Sequence, residues 1–231
     1  MASNRTVTTR IGLLLFPRLT QLDMTGPFEV FSRLPNSQVH LLWKQAGPVR
    51  ADSGITLLAD TALAECPQLD VICVPGGPGV AALMEDAEVL DFLRAQAPGA
   101  RYITSVCTGA LVLGAAGLLR GKRATTHWAS HDFLAALGAT PVQARVVRDG
   151  NLLTGGGVTA GIDFALSLAA EIASPAVAQA IQLAIEYAPE PPFNAGTPAT
   201  APAEVLALAR QHGAAMRADR EALVARVAAR L

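Results

Sequence analysis

One cysteine stands where a predicted strand gives way to a predicted helix. Residues 101–106 are predicted to form a central strand, Cys107 lies where this strand ends, and the small residues of 110–116 predict a helix. N–H groups at a helix N-terminus favour a thiolate, and Gly109 permits close approach of the backbone. The position therefore predicts a nucleophile, with a small buried hydrophobic residue as the alternative interpretation of Cys107.

Three further groups are candidates to act with such a cysteine. The N–H of Thr108 and an N–H of the Gly76-Gly77 loop, with Gly77 as the candidate donor, are predicted to form an anion hole. Asp23 follows the first predicted strand and is a candidate acid, or else a helix-start residue that complements the dipole. His127 could orient or deprotonate the thiol, although a histidine in a loop is more often structural.

The remaining cysteines and histidines do not predict a metal site. Cys73 lies inside an apolar strand and Cys66 precedes a proline, so both are predicted to be structural, and an odd set of three cysteines fits a reducing cytoplasm. His127 and His131 are four residues apart, but no third ligand follows nearby. Residues 155–157 are all glycine and lack the lysine of a phosphate loop. We therefore expect no metal and no organic cofactor.

Composition and charge limit the partners of this chain. Of its 231 residues, 51% are hydrophobic and 16% are charged, which predicts a large core. The net charge of −1 gives no general attraction to nucleic acid or to an anionic membrane. Residues 1–10 lack the apolar core of a signal peptide, and 110–119 is too short to span a bilayer. We expect a cytoplasmic protein with a small-molecule substrate.

Predicted strands and helices alternate along the chain. Strands are predicted at 10–16, 38–44, 70–74 and 101–106. One pair of short strands is predicted within 49–60 and another within 145–154. Helices are predicted from Thr25-Gly26-Pro27 onward and over 87–96, 110–116, 130–137, 159–172, 175–187 and 203–231. This order is typical of an α/β fold, a flavodoxin-like three-layer sandwich with a mostly parallel central sheet and a C-terminal helical extension.

Four segments in this order resemble one protein family. They are 23–31 (DMTGPFEVF), 74–77 (VPGG), 106–110 (VCTGA) and 124–128 (ATTHW). Together they resemble the DJ-1/PfpI superfamily, in the branch shared by isonitrile hydratases and the ligand domains of AraC-type regulators. The tail 186–196 (EYAPEPPFNAG) resembles the isonitrile hydratases in particular. The resemblance implies a class I glutamine amidotransferase-like domain over 1–196 and a C-terminal helical extension of the same unit over 197–231.

The resemblance also implies a site and an activity. It implies a nucleophilic Cys107 on a strained turn, an acidic partner at Asp23, Thr108 as a further functional residue, and a homodimer. The implied reaction is hydration of an isonitrile to an N-substituted formamide through a thioimidate on Cys107, with Asp23 as general acid and base. Protease-like members have histidine directly after the cysteine, where this chain has Thr108, so peptidase chemistry is not expected.

Two other functions stay open at this point. One is a glyoxalase, deglycase or redox stress protein of the same superfamily. The other is the ligand domain of an AraC-type transcription regulator, which would be followed by a helix-turn-helix module. Residues 197–231 predict one charged helix without a recognition helix, which argues against the regulator.

Overall fold

A computed structural model describes residues 8–231 as a sheet covered by helices on both faces. The strands are β1 (Thr9–Leu14), β2 (Ser37–Trp43), β3 (Gly47–Arg50), β4 (Thr56–Ala59), β5 (Thr61–Ala62), β6 (Val71–Val74), β7 (Tyr102–Val106), β8 (Arg123–Ala124), β9 (Thr140–Pro141), β10 (Val146–Asp149) and β11 (Leu152–Gly155). The helices are α1 (Gln21–Phe31), α2 (Val80–Leu83), α3 (Ala87–Gln96), α4 (Gly109–Ala115), α5 (Phe133–Ala136), α6 (Ala160–Ile172), α7 (Pro175–Ala184) and α8 (Ala203–Ala228). The predicted α/β fold with a mostly parallel sheet is confirmed.

The order of the strands brings three chain segments together at one edge. The main sheet runs β10-β11-β7-β6-β1-β2-β5, and all neighbours are parallel except β10 and β11. Val74 pairs with Ser105, and Gly155 pairs with Val106. The carboxyl ends of β6, β7 and β11 are therefore adjacent, which is where ligands bind in open α/β sheets.

The central strands are buried on both faces, as their apolar sequences predict. Every residue of β6 is buried, and of β1 only Arg10 is exposed. Helix α1 packs on α6 and α6 packs on α7, while α4 packs on α2, α3 and α5. The rings of Phe31 and Phe164 join α1 to α6 in an edge-to-face contact, with centroids 6.0 Å apart.

Helix α1 begins earlier than its sequence predicts. Pro27 was expected in its first turn, yet the helix starts at Gln21 and Pro27 lies inside it. Proline lacks the N–H that would bond the carbonyl of Asp23, so its place inside the helix costs one hydrogen bond. The packing of α1 against α6 explains why proline is nevertheless found there. A Cβ added to Gly161 of α6 would lie 2.9 Å from Cδ of Pro27, so the two helices approach too closely for a side chain there. The earlier start places Asp23 in the first turn of α1.

The C-terminal helix α8 packs on α5 and on the short 3-10 turn at 128–130. Its last turns contribute Leu223, Val224 and Val227 to the core, while its first half is largely exposed. The division into a domain over 1–196 and an extension over 197–231 stays a prediction. No helix within residues 8–231 is long and apolar enough to cross a membrane.

Candidate active site

Cys107 lies in a left-handed turn between β7 and α4. Its φ of 54° is a conformation that costs a non-glycine residue roughly 1–2 kcal/mol. The turn is held on both sides, because the N–H of Cys107 donates to the carbonyl of Gly155 at 3.0 Å and its own carbonyl accepts from Oγ1 of Thr126 at 2.7 Å. The strained turn that the resemblance implied is present.

Asp23 is fully buried at the same edge of the sheet. Its Oδ2 accepts the N–H of Gly76 at 2.8 Å, and its buried Oδ1 has no hydrogen-bond partner among residues 8–231. The pKa of this carboxyl is raised to about 7, chiefly by burial. The hydrogen bonds from the N–H of Gly76 and from the thiol of Cys107 lower this pKa, but by less than burial raises it. Asp23 can therefore exchange a proton near neutral pH, which a general acid and base requires.

The thiol of Cys107 does not have the lowered pKa that its position at a helix N-terminus predicted. Burial raises the pKa of Cys107, and the Asp23 carboxylate raises it further. Bonds from the N–H and hydroxyl of Thr108 lower this pKa, but by less. Cys107 and Asp23 therefore form one coupled pair, and its first proton is lost near pH 7.

The Gly76-Gly77 loop is closely packed against both members of the pair. A Cβ on Gly76 would lie 2.6 Å from the N of Thr108 and 2.7 Å from Oδ2 of Asp23, so only glycine fits. The N–H of Gly77 donates to Oγ1 of Thr108 at 3.0 Å. Both N–H groups of the loop are thus already used. The predicted anion-hole donor Gly77 instead orients the Thr108 hydroxyl, and the Thr108 N–H bonds the sulfur.

His127 makes a hydrogen bond within its own turn. Its Nδ1 accepts the N–H of Ala129 at 3.3 Å, and burial lowers its pKa, with the nearby charge of Arg220 lowering it further. A neutral ring with Nδ1 as acceptor carries its proton on Nε2. His127 also lines a cavity of about 480 Å³ with Thr126, Trp128 and three further segments, 143–145, 156–159 and 196–198.

The other thiols are unsuited to catalysis. Burial raises the pKa of Cys73 to about 12 and that of Cys66 to about 11. The pKa of Cys107 is raised as well, so Cys107 differs from these two thiols by its position beside Asp23, whose carboxylate can take the thiol proton. Within the part of the chain that the structure describes, no three His, Cys, Asp or Glu side chains group as metal ligands.

Sequence reasoning missed Arg220 on α8. The side chain is 8% exposed, and its Nη1 donates to Oγ of Ser130 at 3.0 Å. Burial lowers the pKa of Arg220, and a Cys107 thiolate raises it by less. Nothing in the spacing of the charged helix distinguishes this arginine from its neighbours. Its burial results from the packing of α8 against the 128–130 turn.

Comparison with known proteins places this site in a family. The model of the DJ-1/PfpI family matches residues 9–171, which include Asp23, Gly76, Cys107 and Thr108. The chain belongs to the DJ-1/PfpI family. It is 60% identical over 222 residues to the isonitrile hydratase of Pseudomonas putida, covering 96% of this chain and 97% of that protein.

Solved structures of this family share the fold. A THiJ/PfpI family protein from Pseudomonas syringae superposes with a TM-score of 0.92 at 43% identity, over 94% of this chain and 90% of that chain. DJ-1beta of Drosophila melanogaster superposes with a TM-score of 0.73 at 27% identity, over 79% of this chain and 100% of that chain. The first alignment extends beyond residues 9–171 and so takes in most of the C-terminal region.

Proposed function

We propose that this DJ-1/PfpI family member hydrates an isonitrile to the N-substituted formamide. The observation that carries the proposal is the buried pair of Cys107 and Asp23 at the carboxyl edge of the sheet. The identity of 60% to the Pseudomonas putida isonitrile hydratase, over nearly the whole of both chains, supports the same reaction here. A thiol beside a carboxyl that titrates near pH 7 supplies the nucleophile and the proton that this reaction needs.

The first half of the reaction forms a carbon–sulfur bond. The reactive form of the pair is the Cys107 thiolate with a protonated Asp23, reached by moving the thiol proton to the carboxylate. The thiolate attacks the terminal carbon of R–N≡C, and Asp23 gives its proton to that carbon. The product is a thioimidate, R–N=CH–S–Cys107, with Asp23 left as the carboxylate. Thr108 holds the sulfur by its N–H during this step.

The second half uses the same carboxylate as a base. Asp23 takes a proton from water as the oxygen adds to the thioimidate carbon, and then returns the proton to nitrogen. Asp23 accepts the hydroxyl proton as the carbon–sulfur bond breaks, which releases R–NH–CHO and restores the thiolate with a protonated Asp23. Oδ1, which has no donor in the described chain, is the oxygen available for these transfers.

We assign the substrate's R group to the cavity that is lined by Thr126, the residue bonded to the Cys107 carbonyl. This cavity of about 480 Å³ is lined by Thr126, whose hydroxyl bonds the Cys107 carbonyl, and by His127, Trp128 and Pro198. Its volume lies in the range of small-molecule sites. Arg145 also lines this cavity but is paired with Asp163 at 2.6 Å, and His127 is neutral. The cavity therefore suits an uncharged, partly apolar R group, and we assign His127 to binding rather than to proton transfer.

The test is turnover of a panel of alkyl and aryl isonitriles, with the formamide quantified by mass spectrometry. Wild-type protein is expected to form the formamide, and Cys107→Ala is expected to form none above the rate without protein. Methylglyoxal is assayed in parallel, with lactate as the product. Lactate formation without formamide formation would replace hydration by a glyoxalase activity and would contradict the proposal.

A further inference from the structure

Two side chains of opposite charge are buried in this structure without an ion-pair partner. Among residues 8–231, the buried acidic and basic side chains are Asp23 and Arg220, and neither belongs to a salt bridge. An isolated buried charge is costly, so such a group needs compensation from its surroundings. The proposed reaction uses Asp23 but leaves Arg220 without a role.

Arg220 lies next to two chain segments that are hydrogen-bonded to the nucleophile's turn. On one side its Nη1 bonds Ser130, three residues after His127, and on the other side it lines a cavity of about 260 Å³ with Pro78. Both of these segments are tied to the turn, through the bonds from Thr126 to the Cys107 carbonyl and from Gly77 to Thr108.

The hydrogen bonds of Arg220 leave its charge uncompensated. A guanidinium has five N–H donors, and here Nη1 meets a hydroxyl, Nη2 meets the sulfur of Met216 at 3.6 Å, and the buried Nε meets no acceptor in the described residues. All of these partners are neutral. The Cys107–Asp23 pair carries one negative charge once its first proton is lost, and it lies on the turn to which both neighbouring segments of Arg220 are bonded.

We propose that Arg220 is a positioning residue whose buried charge stabilises the Cys107 thiolate. The two members of the pair compete for one proton, and a cation that acts on the sulfur favours the form in which Asp23 holds it. That form is the one that attacks the isonitrile. On Arg220 itself, burial lowers the pKa and the charge of the Cys107 thiolate raises it by less. The inference rests on the proposed function only in taking Cys107 as the nucleophile.

The other titratable groups near the pair do not supply a buried positive charge. The carboxylate of Asp52 raises the pKa of Asp23, and the ring of His127 is held neutral. Arg18 and Asp219 line the same small cavity as Arg220, but both side chains are exposed and their opposite charges are screened by water. Of the groups around the pair, Arg220 is the buried cation.

The experiment measures the pH–rate profile of iodoacetamide alkylation at Cys107, followed by mass spectrometry of the peptide that contains it. Arg220→Met removes the charge and keeps the bulk, and Arg220→Lys keeps the charge. Arg217→Met is the matched control, because Arg217 lies one turn earlier on α8 and pairs with Asp132 at 2.6 Å. Thermal melting of each variant checks folding, and no isonitrile is needed, so failure here is distinguishable from failure of the proposed function.

We expect Arg220→Met to shift the profile upward by about one pH unit or more, the scale of a nearby charge. The thiolate fraction at pH 7 then falls about tenfold, and the greater nucleophilicity of a more basic thiolate reduces the net loss of rate to about threefold. Arg220→Lys and Arg217→Met are expected to stay near wild type. A folded Arg220→Met with an unchanged profile would overturn the proposal.

A second neutral variant covers the case in which Arg220→Met does not fold. Arg220→Gln removes the charge but keeps a donor for Ser130, so it should show the same upward shift. Unfolding of both neutral variants would assign Arg220 to the docking of α8 and would also overturn the proposal.

Discussion

Replacing Asp23 by asparagine separates proton transfer from the other effects of this residue. The amide oxygen can keep the bond from the N–H of Gly76 at 2.8 Å, and the amide NH₂ replaces Oδ1. The variant can neither protonate the isonitrile carbon nor deprotonate water. We therefore expect hydration to fall at least about 100-fold, the usual scale of general acid–base catalysis.

The same substitution is expected to change stability in the opposite direction. The pKa of Asp23 is raised from 3.8 to about 7, so between these pH values the unfolded chain ionises at this residue before the folded protein does. Folded-state stability therefore falls as pH rises from about 4 to about 7, by roughly 4 kcal/mol for this group. Asparagine does not ionise, so Asp23→Asn should gain stability over wild type by up to that amount at pH 8 and little at pH 4.

A third effect concerns the thiol. The Asp23 carboxylate raises the pKa of Cys107, so Asp23→Asn should alkylate faster at pH 7 while it hydrates more slowly. Steady-state formamide production, iodoacetamide rates and urea unfolding at pH 4 and pH 8 measure the three effects, with Asp23→Glu as the carboxyl-retaining control. Hydration by Asp23→Asn within a few-fold of wild type would refute the reasoning, and the acid–base role would then be sought at His127.

Four further predictions follow from the same site. Cys107→Ala should lose formamide production and melt like wild type, whereas Cys73→Ala should keep activity; an active Cys107→Ala would exclude this nucleophile. Thr108→Val removes the hydroxyl that accepts the N–H of Gly77 and bonds the sulfur of Cys107. This variant should be alkylated at Cys107 at least about threefold more slowly at pH 7, and an unchanged rate would contradict the assigned contact. Extended chelation should leave turnover unchanged, and zinc-dependent recovery after a loss would contradict this. Light scattering at micromolar concentration should give twice the chain mass of 23.9 kDa, and a monomer mass would contradict the predicted homodimer.

The sequence by itself determined the elements and the place of the nucleophile. Apolar runs predicted β1 and β6, and small residues after Cys107 predicted α4, because these signals depend on neighbours a few positions apart. Once a parallel sheet was predicted, the ends of consecutive strands had to meet at one edge, which brought Cys107 near the Gly76-Gly77 loop.

Tertiary structure alone decided how the site is connected and charged. The bond from Gly76 to Asp23 spans 53 positions, that from Gly77 to Thr108 spans 31, and that from Arg220 to Ser130 spans 90. No local pattern encodes such contacts, and they determine which N–H groups remain free. The direction of the Cys107 pKa change could not be read from the sequence either. The helix N-terminus, which lowers a thiol pKa, is recognisable within one segment, whereas burial, which raises it, depends on how many chain segments surround the thiol.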